Sequence, residues 1–192
     1  MDRKPTLKDI ATICNCSITT VSRALKKSPT ISKAMQQKVS DTAKSLGYIP
    51  NSLATSMRTG STNTIAACIQ DFRNPFFSAI AKYTESYARK NGYFSLFATT
   101  NEQPSQEYQV CKTLLEKNVD GILLFPIQKD TKAVKLLLQQ QIPLVTVGRY
   151  FDEIETDYVI SDDEQGAYLV AKHLIQKNAK DILFLNVTRS IS

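Results

Sequence analysis

The chain has 192 residues, 42% of them hydrophobic, enough for one ordinary domain plus something small or for a single large α/β unit. It has no apolar run of roughly 18 residues, and the opening MDRKPTLKDI lacks the apolar stretch of a signal peptide. Neither a membrane-spanning nor an exported chain is therefore expected, and the expected compartment is the cytoplasm. The net charge of +6 is unevenly spread: residues 1–60 hold ten Lys/Arg against three acids, and the remainder holds fourteen against fifteen. An excess confined to the first third is the electrostatic footprint of contact with a polyanion. Nucleic acid fits better than an acidic membrane surface, because no stretch joins a large apolar face to the basic one.

In chain order, Thr6 followed by Asp9 has the form of a capping box, and Leu7, Ile10, Ala11 and Cys14 follow at helical spacing. Asn15 tolerates the left-handed backbone of a tight helix exit. Ser17 caps the next helix, whose inward stripe is Val21, Ala24 and Leu25. The opposite stripe is Thr19, Ser22, Arg23 and Lys26. After Ser28-Pro29, Ser32 caps a third helix with Met35, Val39, Ala43 and Leu46 as its apolar face and Gly47 at its end. Two short helices joined by a tight turn and followed by a longer brace form a helix-turn-helix domain. Such amphipathic triplets are common, and the charge split is what points this one to DNA.

A further short helix is predicted at SLATSMR, before the polar linker TGSTN. Its length is too small for stability alone in water, so Leu53, Ala54 and Met57 need a partner; otherwise the segment is a plain linker. From Thr64 the pattern alternates. Strands are predicted at TIAACI, YFSLFAT, DGILLFP, PLVTVG, YVIS and DILFL (residues 181–185), separated by helices. This is a parallel sheet flanked by helices, with ligands expected beyond the carboxyl ends of the strands.

Chemistry-bearing motifs are absent: no phosphate-binding glycine loop and no nucleophile elbow occurs. Cys14, Cys16, Cys68 and Cys111 lack zinc spacing and read as small apolar residues, and His173 lies in a helix pattern with no evident partner. No metal, cofactor or catalytic residue is expected, and the chain is not read as an enzyme.

The stretch TLKDIATICNCSITTVSRALKKSPTISKAMQQKVSDTAKSLGYIPNSLATSMRTGST resembles the N-terminal region of lactose-repressor-type (LacI/GalR) transcription regulators. Beyond it, NPFFSAI, DGILLFP and DDEQGAYLVAKHLI resemble that family's effector-binding domain. The resemblance implies a small all-α helix-turn-helix head over residues 1–60, with a hinge helix at about 51–58. It implies a partial α/β, periplasmic-binding-protein-like effector domain over 61–192, comprising the first lobe and the start of the second. The expected activity is regulation, specifically repression, of transcription by a homodimer on a palindromic double-stranded operator, controlled by a small-molecule effector, a sugar, with no membrane partner.

By the same resemblance, Ile18, Thr19 and Arg23 occupy base-reading positions, and Thr6, Asn51 and Ala54 stand among the DNA-contacting ones. Ile18 is also in register with Val21 and Leu25, so core packing stays open for it. Ser17, Thr20 and Ser22 contact phosphate or cap the helix, and Lys26 adds salt-sensitive affinity. Met57 falls where the family places a leucine that wedges between base pairs, or it touches the partner hinge. The hinge helix is expected to form only in the DNA-bound dimer. Departures from the family pattern are Cys14-Asn15-Cys16 where Ala-Gly-Val is common, and Thr55 where many members have arginine.

Phe72, Phe76, Phe77, Asn101, Arg149 and Asp162 are the candidates for one wall of the effector cleft, in a combination that suits a sugar and equally a nucleobase. Phe76 and Phe77 are alternatively core residues, and Asp162 a helix cap. Family members are usually much longer, so the chain is expected to be truncated in its effector domain, with weak or absent effector response. The alternatives are a truncated repressor that binds DNA weakly or not at all, and a sugar-binding protein without a DNA role.

Overall fold

In a computed structural model, which describes residues 3–50, 56, 59–127 and 130–185, the chain forms two units, Met1–Thr55 and Ser56–Ser192. In the first, α1 spans Leu7–Cys14, α2 Ile18–Leu25 and α3 Lys33–Ser45. Each start is set by a side chain that satisfies otherwise orphaned backbone donors. The Asp9 carboxylate accepts from both the backbone N–H and the hydroxyl of Thr6, each at 2.8 Å. Ser17 Oγ accepts from Thr20 N–H at 3.0 Å, and Ser32 Oγ from Met35 N–H at 3.3 Å. The turn between α1 and α2 is closed by Asn15 in the left-handed region at φ 54°. Ile10, Ala11 and Cys14 of α1, Val21 and Ala24 of α2, and Val39 and Ala43 of α3 share one core, flanked by partly buried Leu25, Met35 and Leu46. The expected hinge helix, with Asn51, Ala54 and Met57, lies outside the described residues apart from Ser56.

In the second unit, β1 (Thr64–Ile69), α4 (Pro75–Lys90), β2 (Phe94–Thr99), α5 (Pro104–Glu116), β3 (Gly121–Leu124), α6 (Lys132–Gln139), β4 (Leu144–Val147), β5 (Asp157–Val159) and α7 (Asp163–Gln176) follow in order. The strands form one parallel sheet in the order β2-β1-β3-β4-β5. Strand residues alternate between its faces. Ala66, Cys68, Ile122, Leu124 and Leu144 meet Cys111 and Leu114 of α5 and Val134 and Leu137 of α6. A second cluster joins Ile69 and Phe125 to Phe77 of α4. Cys14, Cys68 and Cys111 are buried free thiols and Cys16 is half-buried; contact with Cys111 and burial both push the Cys68 thiol well above its usual range.

One expected element is not formed. Residues 181–185 adopt no strand; Leu183 and Leu185 are each more than four-fifths exposed. A strand exists only by pairing, and none of the described strands pairs with this segment. α7 and β5 also bury no residue, although α7 is held by its own backbone ladder and β5 by pairing with β4.

Ile10→Ala should destabilise the head by about 3 kcal/mol, the usual cost of deleting a fully buried aliphatic side chain. That rivals the whole stability of so small a unit. The helical ellipticity of the variant is expected to melt well below that of the unmodified chain; coincident melting curves would refute the assigned core.

Candidate nucleic-acid interface and ligand cleft

Burial of Val21 and Ala24 determines what α2 turns outward. Thr19 and Arg23 are exposed, and the Arg23 guanidinium makes no hydrogen bond or ion pair among the described residues. Ile18, left open between core and surface, is 48% exposed. It edges a groove of about 770 Å³ lined also by Lys4, Thr6, Leu7, Lys8, Tyr48, Ile49 and Pro50. Ile49, which the sequence reading did not single out, is 84% exposed. Ser17 and Thr20 are engaged with each other, their hydroxyls 2.9 Å apart. Ser22 is half-buried and Lys26 exposed.

Two of the basic residues serve the fold itself. Arg3 pairs with Asp9 at 2.6 Å, and Lys38 Nζ donates to Cys14 O at 3.2 Å. Lys4, Lys8, Arg23, Lys26, Lys27, Lys33 and Lys44 are exposed and unpaired among the described residues. The connection that carries Lys26 and Lys27 is held by Gln36, whose amide donates to Ser28 O and Ile31 O, both at 2.9 Å. Helical phase gave no sign of Gln36, because its partners lie in an irregular loop.

At the carboxyl ends of β1 and β2, Gln70, Asp71, Arg73, Asn74, Phe77, Asn101 and Glu102 line a cleft of about 330 Å³. Of the six predicted wall residues, Phe77 and Asn101 meet there. Phe77 is only 8% exposed and packs edge-on against Phe125, so most of its ring serves the core. Phe76 stands edge-on to Phe77 and is exposed; Phe72 stands edge-on to Phe97. Arg149 is mostly covered, donating to Pro126 O at 3.1 Å and to Glu102 Oε1 at 3.3 Å, and so ties the ends of β2, β3 and β4 together. Asp162 caps α7 through Gln165 N–H at 2.9 Å and, among the described residues, makes no hydrogen bond or ion pair with the other five.

The charges in the cleft are largely paired. Arg73 holds the Asp71 carboxyl below its usual range through side-chain and backbone hydrogen bonds. Arg149 meets Glu102. Beneath them Glu107 is buried, and its Oε2 accepts from Ile127 N–H at 2.9 Å. Burial pushes this carboxyl up to about 7, against the pull of that hydrogen bond and of Arg149; Asp130 adds to the rise. Glu107 was missed although its spacing to Cys111 and Leu114 places it on the buried face of α5, a signal readable from helical phase alone.

Residues 6–51 match the family of bacterial regulatory proteins, lacI family, and residues 65–189 match a periplasmic binding protein domain. Over 172 residues the chain is 31% identical to the HTH-type transcriptional repressor PurR of Aliivibrio fischeri (strain MJ11), covering 89% of this chain and 51% of the relative. Over 189 residues it is 31% identical to the ribose operon repressor of Haemophilus influenzae (strain ATCC 51907 / DSM 11121 / KW20 / Rd), covering 97% of this chain and 57% of that one. The lac repressor dimer bound to operator and the anti-inducer ONPF shares the fold, with a TM-score of 0.81 at 22% identity over 91% of this chain and 53% of the other. The chain spans about half the length of the curated relatives it matches.

Glu107 makes stability depend on pH. Its carboxyl titrates near 4.5 when unfolded and near 7 when folded, so between those values the folded state keeps a proton that the unfolded state releases. Its contribution is full below about pH 4.5 and is lost as pH rises through 7. Asp9, Asp71 and Asp120 have lowered values and act only below about pH 4, outside this window. Glu107→Gln keeps an acceptor for Ile127 and should be more stable than the unmodified chain at about pH 8, by on the order of 2 kcal/mol. The gap should close towards about pH 5. Denaturant unfolding at the two pH values measures this, and a variant weaker at the higher pH would contradict it.

Proposed function

Because the chain belongs to the lacI family of bacterial regulatory proteins, we propose that it is a sequence-specific, DNA-binding transcriptional repressor acting as a homodimer on a palindromic operator. The observation that carries this reading is the outward face of α2: Thr19 and unpaired Arg23 stand beside half-exposed Ile18, with Val21 and Ala24 locked on the opposite side. Arg23 has the planar fork that matches guanine O6 and N7, and such a contact discriminates by roughly 1–3 kcal/mol. Thr19 bonds a base edge, and Ile18 meets a thymine methyl. Thr6, Ser17, Thr20 and Ser22 hold phosphate, which sets register without reading letters. The unpaired lysines supply affinity that falls with salt.

Within this reading the head comprises residues 1–60, and the hinge at 51–58 places Asn51, Ala54 and Met57 in the minor groove; that assignment rests on the family resemblance. The α/β unit takes a small neutral effector, a sugar. Support comes from the mutual pairing of Arg73 with Asp71 and of Arg149 with Glu102, which leaves hydrogen-bonding edges without net charge beside Phe77. The ribose operon repressor among the relatives agrees with a sugar. The relatives are regulators, not enzymes, and no described helix is long and apolar enough to cross a membrane; we place the protein in the cytoplasm.

A second reading, in which this chain binds DNA without responding to an effector, draws on the exposure of α7 and of residues 177–185. Calorimetric titration with neutral pentoses and hexoses separates the two, since micromolar binding would exclude the second.

Duplexes selected from a random pool by the unmodified chain should share a palindrome. Arg23→Ala is expected to lose about tenfold or more in affinity for them in a gel shift while binding random duplex almost as before. Equal affinity for the selected sites would remove Arg23 from the reading set, and a pool with no enrichment would sink the DNA role altogether.

A further inference from the structure

The segment TGSTN reads as a loose polar connection, yet its second half is held at one carboxylate. Asp120, the residue before β3, accepts through Oδ2 from Ser61 Oγ at 2.5 Å and through Oδ1 from Thr62 N–H at 2.8 Å. The Thr62 hydroxyl divides its proton between Asp120 Oδ1 at 2.9 Å and Asn118 O at 3.0 Å. The backbone completes the attachment, because Asp120 N–H donates to Thr64 O at 2.7 Å. Asn63 between them turns through the left-handed region at φ 49°. Partial burial pushes the Asp120 carboxyl up, but the donors from Ser61, Thr62 and Asn63 outweigh it and hold the group ionised below its usual range.

These contacts join residues almost 60 positions apart, at the point where the chain arrives from the hinge region and enters the sheet. A free polar linker of five residues wanders by about 12 Å. Two heads reading half-sites at a set separation lose affinity if their tethers wander, because the second head then binds at a lower effective concentration. We infer that Asp120 is a positioning residue for DNA binding, the anchor that fixes where the segment leading to the head leaves the α/β unit and thereby pre-sets the tether for two-site reading. The inference rests on the DNA-reading function proposed above.

The test compares the full chain with Asp120→Asn, Asp120→Ala and Thr62→Ala, the last removing the Thr62 hydroxyl from the anchor on the linker side and leaving the sheet untouched. Each is measured by gel shift on the palindromic duplex recovered from the random pool and on a single half-site duplex, with thermal melting to establish that it is folded. Asp120→Ala should lose about tenfold on the palindrome and little on the half-site, with Thr62→Ala and Asp120→Asn between it and the unmodified chain. A merely structural carboxylate would lower both affinities together, in step with the folded fraction, and that result overturns the anchor. Unchanged palindrome affinity in folded Thr62→Ala and Asp120→Asn overturns it too. Failure of the unmodified chain to enrich any duplex defeats the DNA-reading function itself, and the anchor with it.

Discussion

An eight-residue helix is not stable by itself in water, so α2 exists only because Val21 and Ala24 are locked against Ile10, Cys14 and Val39. That burial is the constraint on which the head depends. It consumes the apolar side of α2 and leaves Thr19, Arg23 and much of Ile18 turned outward, with the Arg23 guanidinium unpaired among the described residues. The same core sets the turn between α1 and α2, whose left-handed Asn15 stands where a glycine would be easier, and whose neighbour Cys14 is buried close to Thr42. Outward chemistry at this face is a consequence of inward packing. A substitution that loosens Ile10 or Val39 therefore disturbs this outward face without touching any residue on it.

In the α/β unit the corresponding constraint is that a parallel sheet hides its faces under helices and leaves its strand ends open. Polar groups gather at those ends because backbone there has to be satisfied by side chains or solvent. Arg149 shows how this works: it reaches the carbonyl after β3 and the carboxylate after β2, and joins ends that the ladder no longer connects. Glu107 performs a similar task from below by accepting the Ile127 N–H, at the cost of a carboxyl held in a poorly solvated place. Asp120 does so at the opposite ends of the strands. Three ionisable residues thus tie irregular segments to a regular frame.

Much of this was readable in advance for physical reasons that differ from site to site. Caps at Thr6, Ser17 and Ser32 are local, since the donor and acceptor lie within three residues. Helical and strand periodicity located nearly every element, because it reports which side must be hidden. Periodicity did not say whether a hidden side would find a partner, and that is why DILFL at 181–185 looked like a strand and is none. Ile18 was undecidable for a related reason: one apolar residue at the edge of a stripe belongs to the core only if the neighbouring helix reaches it. Phe77 shows the converse, a residue at a strand-end loop whose ring mostly serves the core.

By itself, the sequence determined the two-part organisation, the confinement of positive charge to the head, and the identity of the face that α2 exposes. All three follow from short-range spacing and composition. Only the tertiary structure decided which long-range partners meet: Arg149 with Glu102, Glu107 with Ile127, and Asp120 with Ser61 and Thr62. Hydrogen bonds between residues far apart in the chain depend on distances of a few tenths of an ångström, set by how helices seat on a sheet. No local pattern encodes that seating, so the anchors and the paired charges of the cleft became visible only once the chain was folded.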